Sequence, residues 1–174
     1  WALPQPLLRA LAASARGRWP ASAWSALTDP LSAWSLHALA LWVWHVPSLF
    51  DAAVESTGLH ILQHTSFLAS ALLFWWAALG PDPRSTRQGA SMLLLFTTML
   101  HTGALGALLT FAPTAWYPHY VDSGVGLGLD PVEDQQLGGL VMWVPGGLAY
   151  LVAGLAVAAR WLARRPASLP AASP

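Results

Sequence analysis

Long apolar runs separated by short polar stretches organise this chain. A bilayer crossing takes about 20 largely apolar residues, and four stretches reach that length, at about 31–53, 58–80, 89–111 and 136–162. Within the second, Thr57 to Leu79 contains no Asp, Glu, Lys or Arg. Pro47 lies near the end of the first run and Pro145 inside the fourth. Each lacks a backbone donor and should end or bend its helix locally. Upstream, Leu7, Leu8, Leu11 and Ala15 recur at helical spacing between Pro6 and Arg18, with Arg9, Arg16 and Arg18 at other positions. That spacing predicts a short amphipathic helix in the membrane interface, within an N-terminal segment 1–30. The stretch from Ala112 to Gln135 carries Pro113, Pro118 and Pro131 with Gly124, Gly126 and Gly128, which is turn chemistry. The pattern therefore predicts an all-α fold, a polytopic membrane helical bundle with four spanning helices in a domain 31–162. The Pro/Ala/Ser-rich tail, 163–174, is expected to be disordered and cytoplasmic.

Composition agrees with the pattern. Hydrophobic residues make up 55% of the 174 positions and charged residues 9%, against roughly 25% charged in soluble domains. Membrane lipid is thus an expected partner; nucleic acid is not, the net charge being zero. The absence of cysteine removes disulfides, thiolate metal sites and cysteine nucleophiles. The chain opens at Trp1 without Met or a signal peptide, so we read it as a fragment with an N-terminal part missing.

Charge placement sets an orientation. All eight basic residues are Arg: three precede the first run, Arg84 and Arg87 join the second to the third, and Arg160, Arg164 and Arg165 follow the fourth. By the positive-inside rule these segments, and both termini, are cytoplasmic. The opposite loops hold Asp51 and Glu55, and Asp122, Asp130, Glu133 and Asp134, without Arg. Trp24, Trp34, Trp75, Trp76 and Trp161 near the inner boundary and Trp116 outside fit interfacial anchoring.

The orientation converts the histidines into a depth map. His60 and His64 lie four residues apart, so they share a helix face. At ~1.5 Å rise per residue, His60 falls roughly 3 Å and His64 roughly 9 Å below the outer end of the second span. His45 falls in the outer half of the first span, His101 about midway along the third, and Met142 roughly 9 Å below the outer start of the fourth. Ionisable groups at such depth are usually functional, and these five are the candidate metal ligands. His37 lies deeper, where an interhelical hydrogen bond explains it, and His119 is a loop residue. Met142 and Met99 also suit core filling. Glu133, Asp134 and Gln135 suit either an ion-gathering outer mouth or helix capping.

Imidazole binds copper, zinc, iron and nickel, and thioether favours cuprous ion, so copper comes first. Haem is the alternative, since it needs only two imidazoles from facing helices. His60-Ile61-Leu62-Gln63-His64 lacks the Glu of a metalloprotease motif, and Thr65 and Ser66 have no triad. We therefore expect no enzyme.

Several motifs carry a family resemblance. In order they are Trp42-Val43-Trp44-His45-Val46-Pro47, Gly58-Leu59-His60-Ile61-Leu62-Gln63-His64, Leu73-Phe74-Trp75-Trp76 and Met99-Leu100-His101-Thr102-Gly103. Trp116-Tyr117-Pro118-His119-Tyr120 and the run Glu133-Asp134-Gln135-Gln136-Leu137-Gly138-Gly139-Leu140-Val141-Met142-Trp143 follow. Together they resemble the polytopic CtaG-like family of caa-type cytochrome c oxidase assembly factors, distinct from the single-span copper chaperone of the same name. Members have about seven spans, so the chain resembles the C-terminal two thirds or so; the remainder carries a histidine- and methionine-rich span. The resemblance implies a bacterial inner-membrane protein that matures a haem-copper oxidase through copper handling at the outer face, with oxidase subunits as partners. His45, His60, His64 and His101 fall on the family's motif histidines, and Asp134, Gln135 and Met142 on its last motif. A haem b electron carrier and a structural subunit of a respiratory complex remain the alternative readings.

Overall fold

The computed structural model describes residues 21–80, 86–117 and 128–163. The amphipathic helix expected at Pro6–Arg18, His119 and the tail from Arg164 lie outside them. The elements are α1 (Ala21–Leu27), α2 (Pro30–Trp44), α3 (Pro47–Glu55), α4 (Thr57–Leu79), α5 (Thr86–Thr110) and α6 (Pro131–Ala163). No strand occurs among the described residues.

Local chemistry sets the boundaries. Asp29 caps α2, its carboxylate accepting from the amides of Leu31 and Ser32, with Pro30 at the first helical position. The helix stops at Trp44 because Pro47, two residues beyond His45, supplies no amide and forces Val46 into extended backbone (φ −65°, ψ 126°). The run expected as one span over 31–53 is therefore broken in two. The 15 residues of α2 cover about 22 Å, less than the ~30 Å hydrocarbon core. Among the described residues three helices are long and apolar enough to cross a membrane: Thr57–Leu79, Gly89–Thr110 and Pro131–Ala163. The last begins five residues before the expected start. It also runs through Pro145, whose ring removes only one bond of a long ladder.

α6 starts on a reciprocal cap. The Asp130 carboxylate accepts from the Val132 and Glu133 amides, and the Glu133 carboxylate accepts from the Asp130 amide. Asp134 is thereby left out of the capping role.

Between apolar helices in lipid, association rests on close packing and hydrogen bonds. α5 and α6 run antiparallel and make the most extensive pairing in the bundle. They touch backbone to backbone at Gly106 and Gly139, where a Cβ on Gly139 would stand 2.7 Å from the Gly106 carbonyl oxygen. α4 buries Gln63, Ser70, Phe74, Ala77 and Ala78. Trp44 of α2 donates to Ser66 Oγ on α4 at 2.7 Å.

The two ends of the bundle differ. Toward the end that carries Arg160, Phe74, Ala78, Leu95 and Val157 form a closed core, with Tyr150 stacked on Trp75 at 5.5 Å. The opposite, acidic end combines the C termini of α2 and α5 with the N termini of α4 and α6. It bears Asp51 and Glu55 on α3, Asp130 just before α6, and Glu133 and Asp134 in the first turn of α6, and there the packing opens into a cavity.

Candidate functional site

The cavity at the acidic end has a volume of about 360 Å³ and a mostly apolar wall formed by side chains such as Leu41, Phe50, Phe67 and Leu109. Three groups with metal-binding chemistry also line it: His45, Asp134 and Met142. Each comes from a different feature of the fold. His45 sits at the break between α2 and α3, Asp134 in the first turn of α6, and Met142 two turns further along α6.

His45 is held in one tautomer. Its Nδ1–H donates to the Leu41 carbonyl at 2.6 Å, which leaves the lone pair on Nε2. A ligating histidine is oriented in this way, one nitrogen tied to a backbone acceptor and the other free for the metal. The Tyr117 hydroxyl donates to the His45 carbonyl at 3.2 Å, and its ring lies 4.2 Å from that of Phe50. The break in the chain is thus fixed from both sides.

His60 and His64 stand together on the exposed face of α4, ring centroids 4.3 Å apart. His64 Nδ1–H donates to the His60 carbonyl at 3.1 Å, so its Nε2 also carries the lone pair. Gln63, between them in sequence, turns inward and is buried. The pair therefore faces away from the packed side of its helix. Phe67 is the contact between the pair and the cavity, its ring centroid 6.5 Å from His64 and 6.4 Å from His45.

His101 has the opposite tautomer. Trp42 Nε1–H donates to its Nδ1 at 3.3 Å, so the proton of the neutral ring sits on Nε2. That nitrogen is buried without a partner among the described residues. Trp34 packs edge-on at 5.8 Å, its indole N–H likewise unpartnered. With the Nδ1 lone pair taken up by the Trp42 N–H and the proton on Nε2, neither ring nitrogen of His101 presents a free lone pair in this arrangement. His37 is satisfied on both nitrogens. Ser70 Oγ–H donates to the Phe67 carbonyl, which makes Oγ the acceptor for His37 Nδ1–H at 3.2 Å. The Tyr150 hydroxyl donates to Nε2 at 3.5 Å. This chain of bonds joins α2, α4 and α6, the interhelical role expected for His37.

The three residues considered for an outer mouth separate by function. Glu133 belongs to the α6 cap. Gln135 is buried and fully engaged: its Oε1 accepts from the Trp116 amide at 2.6 Å, and its Nε2 donates to the Leu109 and Thr114 carbonyls at 3.4 Å. Gln136 adds a bond to the Ala112 carbonyl at 3.1 Å. Together they tie the end of α5 and the following loop to α6. Asp134 alone keeps a carboxylate on the cavity.

The five positions mapped to a common depth thus fall into three groups: His45 with Met142 at the cavity, His60 with His64 on the face of α4, and His101 against Trp42. Among the described residues no trio of His, Asp and Glu converges on a metal position. Depth follows from sequence position, but the direction around each helix axis depends on its neighbours. Nothing in the sequence singles out Phe67 or Tyr117 as site residues, because an aromatic at a helix or loop position reads as packing, although Tyr117 lies within the motif Trp116-Tyr117-Pro118-His119-Tyr120.

A family model described as cytochrome c oxidase caa3 assembly factor matches residues 1–164, nearly the whole chain. Uncharacterized proteins of Mycobacterium bovis and Mycobacterium tuberculosis are each 28% identical over 138 residues, covering 78% of this chain and 21% of their own. An uncharacterized protein of Mycobacterium leprae is 26% identical over 168 residues, covering 88% of this chain and 26% of its own. The chain spans about a fifth to a quarter of the length of these curated relatives. No solved structure matches.

Proposed function

The chain belongs to the cytochrome c oxidase caa3 assembly factor family, and from that premise we propose that it is a multi-pass protein of the bacterial inner membrane that binds cuprous copper at its acidic, outward end and hands it to an oxidase subunit. Family membership points to a non-catalytic role in association with cytochrome c oxidase and the membrane. α4, α5 and α6 supply three crossings. The broken pair α2 and α3 makes the fourth, with His45 half-buried at the break. Arginine at one end and carboxylates at the other support an outward acidic end.

One observation carries the copper reading. The Leu41 carbonyl holds His45 Nδ1–H at 2.6 Å, so the Nε2 lone pair is free in a chain whose cavity also receives the Met142 side chain and the Asp134 carboxylate. Imidazole with thioether favours the cuprous ion, and the apolar wall suits a soft ion of low charge. The residues present therefore fit copper as cargo. His60 and His64 add two imidazoles on one helix face, and His101 supports Trp42 and Trp34 instead of binding metal.

The test is copper content and oxidase maturation in three backgrounds. His45→Ala and the double substitution His60→Ala with His64→Ala should each lower bound copper and mature oxidase. His101→Gln should leave copper content unchanged. Retention of full copper content and maturation by both of the first two variants sinks the proposal. A haem absorption band lost with His45→Ala would replace copper with haem b as the bound group.

A further inference from the structure

The four histidine and methionine groups that fit copper do not form one site. His60 and His64 are exposed on α4 with their rings 4.3 Å apart, whereas His45 and Met142 line an interior cavity. One side chain neighbours both. Phe67 touches the surface pair through His64, touches the interior group through His45, and itself forms part of the cavity wall. Resting on the copper reading above, we propose that the protein carries two copper positions in series, a surface docking pair at His60 and His64 and an interior position at His45 and Met142, with Phe67 as the barrier a cuprous ion passes between them.

The chemistry of each position suits its place. The surface pair has two imidazoles on the exposed face of α4, near its outer end. The interior position adds thioether and carboxylate within a mostly apolar wall. The face of an aromatic ring attracts a cation, so Phe67 is a passable barrier and not an insulating one. No electron transfer or bond cleavage is involved; the ion exchanges one imidazole for another.

Loading is followed anaerobically in the detergent-solubilised full chain, with cuprous ion presented as its coloured bis-bicinchoninate complex. The wild type should take up two ions per chain in a fast and a slow phase. X-ray absorption should show sulfur scattering only once the slow phase is complete. His60→Ala with His64→Ala should abolish the fast phase, and His45→Ala should abolish the slow one. Phe67→Ala should accelerate the slow phase several-fold. Phe67→Leu, which keeps most of the packing volume, should accelerate it less. A single ion per chain, or a slow phase indifferent to both Phe67 variants, overturns the relay and leaves the copper reading standing. No uptake by any form overturns both.

Discussion

Gly139→Ala tests the packing that builds the cavity. The added Cβ would lie 2.7 Å from the Gly106 carbonyl oxygen, 2.7 Å from Thr110 Oγ1 and 2.8 Å from the Thr110 amide nitrogen. Two of these are backbone atoms, so no side-chain rotation relieves the overlap. Ordinary contact begins at 3.4 Å, so α5 and α6 must separate by about 0.7 Å at their crossing, the difference from 2.7 Å. Overpacking of this kind costs about 1–3 kcal/mol, a factor of roughly 5 to 150 in the folded ratio. Gly138→Ala is the matched control, because nothing lies within 4 Å of its Cβ position. There the substitution should be neutral or slightly stabilising, glycine being the poorer helix former by about 1 kcal/mol. Denaturant titration in detergent, followed by tryptophan fluorescence, measures both. Because Gly139 also lines the cavity, separation of the helices should weaken copper uptake as well. Equal stability of the Gly138→Ala and Gly139→Ala proteins would refute the backbone contact.

Gln135→Leu keeps the volume but leaves the Trp116 amide and two carbonyls without their partner. We expect a loss of about 1–3 kcal/mol and faster amide exchange at Trp116; unchanged exchange would show that the loop is held otherwise. His37→Leu removes the bonds to Ser70 and Tyr150, each worth ~0.6 kcal/mol on average in a membrane. Stability should fall modestly while copper content stays at the wild-type level, and a fall in copper would make His37 part of the metal path. Orientation is open to single-cysteine labelling, since the chain has no cysteine of its own. Glu55→Cys should react with a membrane-impermeant maleimide added outside cells, and Leu162→Cys only after permeabilisation; the reverse result would invert the topology.

The helical character of the chain was legible because its apolar runs are long and its breakers few. Runs at 58–80 and 89–111 coincide with α4 and α5 to within three residues. The first run misled in part: its composition is continuously apolar, yet Pro47 and the residue before it cannot sustain the helix, so the chain breaks at His45. Pro145 was expected to end or bend α6 locally, and the helix continues through it. Acids near the start of α6 were read as capping or mouth residues without distinction. The Asp130–Glu133 cap and the Gln135 bridge separated those roles and left Asp134 on the cavity.

Sequence alone determined the apolar segments, the charge carried at each end and the family motifs, and set the expected depth of each histidine, since these depend on residue type and on a constant rise per residue. Tertiary structure decided which way each imidazole points and which nitrogen carries its proton. His45 turns to a cavity and binds Leu41 through Nδ1, His101 receives Trp42 on Nδ1, and His60 and His64 face outward together. The shared face of His60 and His64 follows from their spacing and the His45 bond to Leu41 is local, but which face packs inward and the Trp42 bond to His101 arise from partners on other helices, which no periodicity within one segment encodes.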